Sequence, residues 1–285
     1  MLPDAFRGLV DDAAVFPPGD SPLPEALTAY VERRDEWYAD LVGSFVVTDT
    51  ALPEVDADVP VSVVLTGGAG AIAGALGFAA KKGKQVAGLE IALRDLDDLA
   101  GNARRVSAAV DACRGEGALP NDVPVFVEMP QGEATTAWLS AADVVAESEH
   151  RLKFRTGGLE ADRFPSADEL ASWIDAALDR ETPFKCTAGL HHAIAHRDHE
   201  TGFAHHGFLN VLIATRQAFD GASQAEVATL LADHYPNDLV ALARQGLQSD
   251  ALSGARRWFT SFGSCSVQDP LDDLVGLGVV ERHAS

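Results

Sequence analysis

The chain has 285 residues, 47% of them hydrophobic, which is enough apolar material for a substantial α/β core. Its 43 acids against 22 bases give a formal charge of −21, which argues against nucleic acid or anionic membrane as a partner, because both are polyanions. Cys113, Cys186 and Cys265 are odd in number and form no C-x-x-C pair, so neither a disulfide framework nor a structural zinc site is indicated.

The start, Met1-Leu2-Pro3-Asp4-Ala5, carries no basic or apolar leader pattern, and no run approaches the roughly 18 apolar residues of a membrane span. The cytoplasm is the expected location.

In chain order, Val-, Ile-, Leu- and Phe-rich runs predict strands near residues 8–16, 41–47, 59–66, 85–93, 123–129, 152–156, 184–187 and 258–267. Helical patterns fill 24–38, 69–82, 96–114, 135–148 and 166–180. Ser166 with Glu169 three residues later forms a capping-box signature at the last of these helices. Thr66-Gly67-Gly68-Ala69-Gly70 follows a strand without completing G-x-G-x-x-G, so a dinucleotide fold is disfavoured. Eight strands with intervening helices predict a single (β/α)8 TIM-barrel-like domain over residues 1–285, with a helical insertion at about 203–255 before the last strand.

Lysine is rare in this chain. Lys81, Lys82 and Lys84 share one polar loop, and the other two lysines, Lys153 and Lys185, stand alone in apolar runs. An amine can lose its proton when buried and attack a carbonyl, which a guanidinium cannot do, so this usage points to amine chemistry. Strand side chains alternate between faces. That rule separates Lys153 and Arg155 from Leu152, Phe154 and Thr156, and Lys185 and Thr187 from Phe184 and Cys186. It also sets Glu90 and Glu128 opposite the apolar residues of their own strands.

Glu90, Glu128, Lys153, Arg155 and Lys185 are therefore expected in one lumen, at the C-terminal mouth where barrel enzymes place their sites. The one-charge positive excess of that set favours a small anionic metabolite. A salt-bridge network, with Lys153–Glu128 and Arg155–Glu90 as its pairs, is the structural alternative.

Thr156-Gly157-Gly158 and Thr187-Ala188-Gly189 end the two lysine strands with hydroxyls and glycines, a pattern suited to cradling the substrate's anionic group. Six of nine histidines fall between His191 and His206. His191 and His192 follow the mouth of the seventh strand and are candidate proton shuttles, while His206 and Asn210, one helical turn apart, form a candidate polar contact. Asp11 and Asp12 fit either metal or acid/base carboxylates at the end of the first strand or simple turn residues, and Cys265, a nucleophile only with a partner, reads better as a small packing residue.

The elements Lys153–Gly158, Phe184–His192 and His206–Asn210 resemble those of an uncharacterised family of bacterial proteins. The two lysine strands are also similar, more distantly, to deoxyribose-phosphate aldolase, a class I (β/α)8 aldolase. That second resemblance implies Lys153 as the Schiff-base residue and Lys185 as its electrostatic neighbour.

The expected activity is a carbon–carbon lyase of aldolase type acting on a small anionic oxo-metabolite. Lys153, Lys185, Glu128, His191 and His192 would act on the bonds. Arg155, Thr156, Gly157, Gly158, Thr187, Gly189, Glu90, His206 and Asn210 would bind substrate. No cofactor is expected. One alternative is a divalent-metal-dependent lyase or isomerase in which Glu90, Glu128 and His191 or His206 hold the ion, and another is a metabolite-binding barrel without catalysis. Homo-oligomerisation stays open.

Overall fold

The computed structural model describes residues 2–282. Eight strands, all parallel, close into a barrel: Val10–Asp12 (β1), Val42–Thr48 (β2), Val61–Val64 (β3), Val86–Ala92 (β4), Val125–Glu128 (β5), Arg151–Arg155 (β6), Phe184–Thr187 (β7) and a last strand, Phe259–Ser264. Between β7 and that last strand a two-stranded antiparallel hairpin intervenes, His196–Arg197 (β8) and Ala204–His205 (β9), so the last barrel strand is β10. The order around the barrel is β1-β10-β7-β6-β5-β4-β3-β2. This is a (β/α)8 barrel.

Helices Leu23–Glu32 (α1), Ile72–Lys82 (α2), Leu99–Gly115 (α3), Thr136–Glu147 (α4) and Ala167–Asp179 (α5) follow β1, β3, β4, β5 and β6. The β2–β3 connection carries only a short 3-10 turn, Leu52–Glu54. Four helices precede β10: Phe208–Phe219 (α6), Gln224–Ala232 (α7), Pro236–Gln248 (α8) and Ala251–Ala255 (α9). Gln268–Gly276 (α10) follows it. The expected extra helices are present, entered through the β8–β9 hairpin. Ser166 and Glu169 form the reciprocal capping box at α5. No helix among the described residues is long and apolar enough to cross a membrane.

The outward faces of β6, β7 and β10 carry a chain of aromatic rings. Phe154 lies 5.6 Å from Trp173 and 5.1 Å from Phe184, Phe184 lies 5.5 Å from Phe259, and Phe262 lies 5.1 Å from Phe208 of α6. Burying each such ring contributes roughly 1.5–3 kcal/mol. Phe259 and Phe262 are three residues apart and yet stack together, at 6.4 Å. A register shift between Phe259 and Ser261 in the pairing with β7 permits this and turns Ser261 to the lumen.

The seam between the two ends of the chain is tied by one side chain. Arg256, just after α9, donates from Nη1 to Ala5 O and Arg7 O, both at 2.9 Å, from Nη2 to Gly8 O and Thr260 O, and from Nε to Phe259 O at 3.0 Å.

Candidate active site

Strand register sets the site. Glu128 pairs with Lys153, Lys153 with Lys185, and Lys185 with Ser261, so residues from β5, β6, β7 and β10 meet at one height. Their side chains face the lumen because the alternate residues, Leu152, Phe154, Phe184 and Cys186, are buried in the outer apolar layer. The result is a ladder of alternating charge. Lys185 Nζ lies 2.7 Å from Asp11 Oδ2 and 2.7 Å from Glu90 Oε1. The other oxygen of Glu90, Oε2, lies 2.7 Å from Lys153 Nζ, which is 2.8 Å from Glu128 Oε2. Glu128 Oε1 completes the series at 3.4 Å from Arg155 Nε.

The expected pair Lys153–Glu128 is present. Arg155–Glu90 is not, because Arg155 sits one inward position above Lys153 and reaches Glu128 instead, leaving Glu90 to bridge the lysines. The expected positive excess is also corrected. Of the two readings of Asp11, the structure shows a strand-end carboxylate: it lies in β1 and accepts from Lys185, so three carboxylates balance three cations.

Sequence reasoning missed the pairing of Asp11 with Lys185 and the hydroxyls around that carboxylate. Asp11 Oδ1 accepts from Ser44 N at 2.9 Å and Ser44 Oγ at 2.8 Å, and Oδ2 accepts from Ser261 Oγ at 2.7 Å. Ser62 Oγ lies 2.6 Å from Ser44 Oγ. The floor is Phe126, whose ring centroid is 5.1 Å from Lys185 Nζ and 5.6 Å from Arg151 Cζ, a cation–π arrangement. Asp12 turns away, accepting from Ala14 N and forming an ion pair with Arg33.

The electrostatics follow from this alternation. Burial alone would push the Glu90 carboxyl up, but the Lys153 and Lys185 ammoniums outweigh it and hold the group at about 2. Glu128 is likewise lowered, with burial overcome by Lys153 and Arg155. Burial opposes charge on both lysines, yet Glu128 and Glu90 raise Lys153, and Asp11 and Glu90 raise Lys185. In the resting protein both amines are therefore ammoniums. Glu90 stands between them, so like-charge repulsion does not deprotonate either one. From Lys185 outward exposure increases, with side-chain values of 1% for Lys185, 4% for Lys153, 17% for Glu128 and 37% for Arg155.

The flanking loops hold one another. Thr156 Oγ1 donates to Ala188 O at 2.6 Å. A Cβ on Gly157 would lie 2.7 Å from Gly189 Cα, and one on Gly189, at φ +77°, would lie 2.8 Å from Thr156 O. A Cβ on Gly158 would meet Arg163 Cβ at 2.7 Å. Gly157 and Gly189 therefore serve the close crossing of the β6 and β7 loops, and Gly158 the packing of its own loop onto Arg163. Thr187 shares the inward parity of Lys185 and is half-buried at the mouth.

The polar residues beyond β7 are placed apart from the lysines. Asn210 accepts from Ala195 N at 2.8 Å and donates to Leu230 O and Asp233 O, while His206 Nε2 lies 2.8 Å from Pro165 O. Both are engaged by backbone groups of the segments packed around α6. His192 is exposed beside Asp273, with Nδ1 3.2 Å from Oδ2, and not a lumen residue. His191 stands at the rim near Ser264, Cys265 and Asp269.

The ligand set of the metal-dependent alternative is not brought together. Glu90 and Glu128 are engaged by lysines, and His191 and His206 contact other groups. Among the described residues there is no group of three or more His, Cys, Asp or Glu side chains that could hold a metal ion. What the structure shows is the (β/α)8 barrel itself, with no family identified. Comparison with protein-family models, with curated proteins and with solved structures gives no match to this chain.

Proposed function

We propose that the protein is an enzyme of aldolase or lyase type acting on a small anionic oxo-metabolite at the barrel mouth, with Lys153 as the imine-forming amine and Glu128 as the proton carrier. The observation that carries this reading is the position of Glu128. One oxygen is 2.8 Å from Lys153 Nζ and the other 3.4 Å from the more exposed Arg155.

A substrate anion that pairs with Arg155 withdraws positive charge from Glu128 and raises its proton affinity. Glu128 then takes a proton from Lys153 along their hydrogen bond, and the freed amine adds to the substrate carbonyl. The carbinolamine loses its hydroxyl as water, with Glu128 returning the proton. Glu128 then takes the β-hydroxyl proton as the carbon–carbon bond breaks, so that one fragment leaves as a carbonyl compound while the iminium takes the electron pair as an enamine. The enamine is protonated on carbon and hydrolysed by water to free Lys153. Lys185, fixed by Asp11 and Glu90, keeps a positive charge beside the reaction.

The test is borohydride reduction in the presence of a panel of oxo acids and sugar phosphates, followed by intact mass and peptide mapping. A reduced adduct on Lys153 is expected. No adduct across the panel, or adducts confined to Lys81, Lys82 and Lys84, would overturn the imine reading.

The raised proton affinities of Lys153 and Lys185 favour a second reading, in which Lys153 remains an ammonium and stabilises an enolate oxygen while Glu128 removes the α-proton. It predicts exchange of the substrate's α-hydrogen with deuterated solvent and no borohydride-trapped adduct.

A further inference from the structure

A second reactive constellation stands on the same rim and takes no part in the lysine ladder. Cys265 directly follows β10, and His191 lies four residues beyond the end of β7. Because β7 and β10 are neighbours in the barrel, the two side chains meet at the C-terminal mouth. Cys265 Sγ lies 3.6 Å from His191 Nε2 and 3.9 Å from Nδ1. On its other side His191 Nδ1 lies 3.5 Å from Asp269 Oδ2 and 3.4 Å from Ser264 Oγ. Asp269 is itself fixed in the first turn of α10, its N–H donating to Ser266 Oγ at 3.1 Å. Gly19, in the loop after β1, packs closely on Cys265: a Cβ there would lie 2.8 Å from Cys265 Cβ.

We propose that Cys265, His191 and Asp269 form a nucleophile–base–orienter triad that transfers acyl groups from small activated esters or thioesters. Its parts match the roles such a triad requires: a thiol, an imidazole within reach of it, and a carboxylate holding the second ring nitrogen. With its proton on Nδ1 facing Asp269, the imidazole presents the Nε2 lone pair toward the thiol. The nearly equal Sγ distances to the two nitrogens leave the sulfur off the Nε2 axis. A loose resting geometry of this kind is common in unliganded sites.

Burial lowers the proton affinity of His191 despite Asp269, and burial raises the Cys265 thiol. Both groups rest neutral, which suits proton transfer during attack better than a preformed thiolate. The groups around them are Asp20, Asp269, His192 and His196.

In the forward step the Sγ–carbon bond forms as the bond from the acyl carbon to the leaving oxygen or sulfur breaks. The thiol proton passes to Nε2 and on to the leaving group. Water then cleaves the thioester, giving a carboxylic acid and restoring the thiol. No oxidant or reductant is consumed. The proposal is independent of the imine reading, since none of its residues belongs to the lysine ladder.

The full-length protein is mixed with p-nitrophenyl acetate at neutral pH, and release of p-nitrophenolate is followed together with intact mass. A burst approaching one equivalent is expected, with one acetyl group mapped to Cys265 and none to the buried Cys113 or Cys186. His191→Ala should slow the burst by about a hundredfold or more, Asp269→Asn by less, and Cys265→Ala should abolish it. Exposed His199→Ala serves as the control and should leave it intact. Circular dichroism of each variant confirms folding, and if His191→Ala does not fold, His191→Gln takes its place. Absence of a burst, acetyl at another residue, or a burst rate unaffected by a folded His191 variant would overturn the assignment.

Discussion

Lys153 and Lys185 occupy paired positions on adjacent strands, and Glu90 supplies one carboxylate oxygen to each, both at 2.7 Å. Two buried ammoniums side by side would repel. Glu90 converts that contact into the centre of the ladder.

Glu90→Gln removes the charge between the two cations and keeps the side chain's shape. Breaking one member of a buried ion-pair system leaves an uncompensated charge, so a loss of roughly 3–5 kcal/mol is expected. Urea denaturation of wild type and variant measures it. An unchanged midpoint would mean that the lysines are neutral or partnered otherwise.

Stability should also depend on pH through this group. Glu90 ionises at about 2 in the folded protein against an ordinary 4.5, so its contribution is complete above pH 4.5 and is withdrawn as the pH falls through 2. Glu128, lowered in the same direction, adds to the acid limb. Lys153 acts at the other end. Raised above 10.5, it contributes fully below pH 10.5, and that contribution is lost as the pH climbs through the higher folded value. The stability difference between wild type and Glu90→Gln should therefore shrink as the pH falls from 4.5 toward 2, and a constant difference over that range would contradict the assignment.

Arg155→Ala should raise the proton affinity of Glu128, because burial would then be opposed chiefly by Lys153. Carboxyl carbon NMR of Glu128 as a function of pH reads the shift directly. An unmoved titration would detach Arg155 from the ladder and weaken the proposed role of a bound anion.

Gly189→Ala combines a left-handed backbone with a methyl group placed 2.8 Å from Thr156 O. A cost of about 1–3 kcal/mol is expected from the strain, and the Lys153 and Lys185 strands should lose their fixed spacing at the mouth. Thermal unfolding measures the first effect. Borohydride trapping, if positive in wild type, reports the second.

The barrel and the inward direction of Lys153, Lys185, Glu90 and Glu128 were legible because a period of two is a local property that a few residues of each strand suffice to reveal. The partners were less so. Whether Arg155 meets Glu90 or Glu128 depends on the relative height of neighbouring strands, which alternation does not encode. Asp11 was hidden for a different reason. Two adjacent acids in a three-residue strand give no readable alternation, and barrel closure is what brings residue 11 against residue 185. His206 and Asn210, polar residues at helical spacing, resembled a binding pair, and in the fold each meets backbone carbonyls. The partner of Cys265, His191, could have been sought among residues just past β7 once those two strands were known to be neighbours.

The Arg256 clamp has a consequence for how the molecule is made. Strand β1 precedes β2 through β7 in the chain, yet the carbonyls just before it are gripped by a guanidinium that follows β7, and its partner strand β10 comes later still. A nascent chain on the ribosome can pair β2 through β7 in sequence, but the segment before β1 must wait, without its clamp, until Arg256 has emerged. Asp11 is carried into the lumen at that point. Lys185 therefore gains its second carboxylate only when the cylinder shuts, so completion of the charge ladder and completion of the fold are one event.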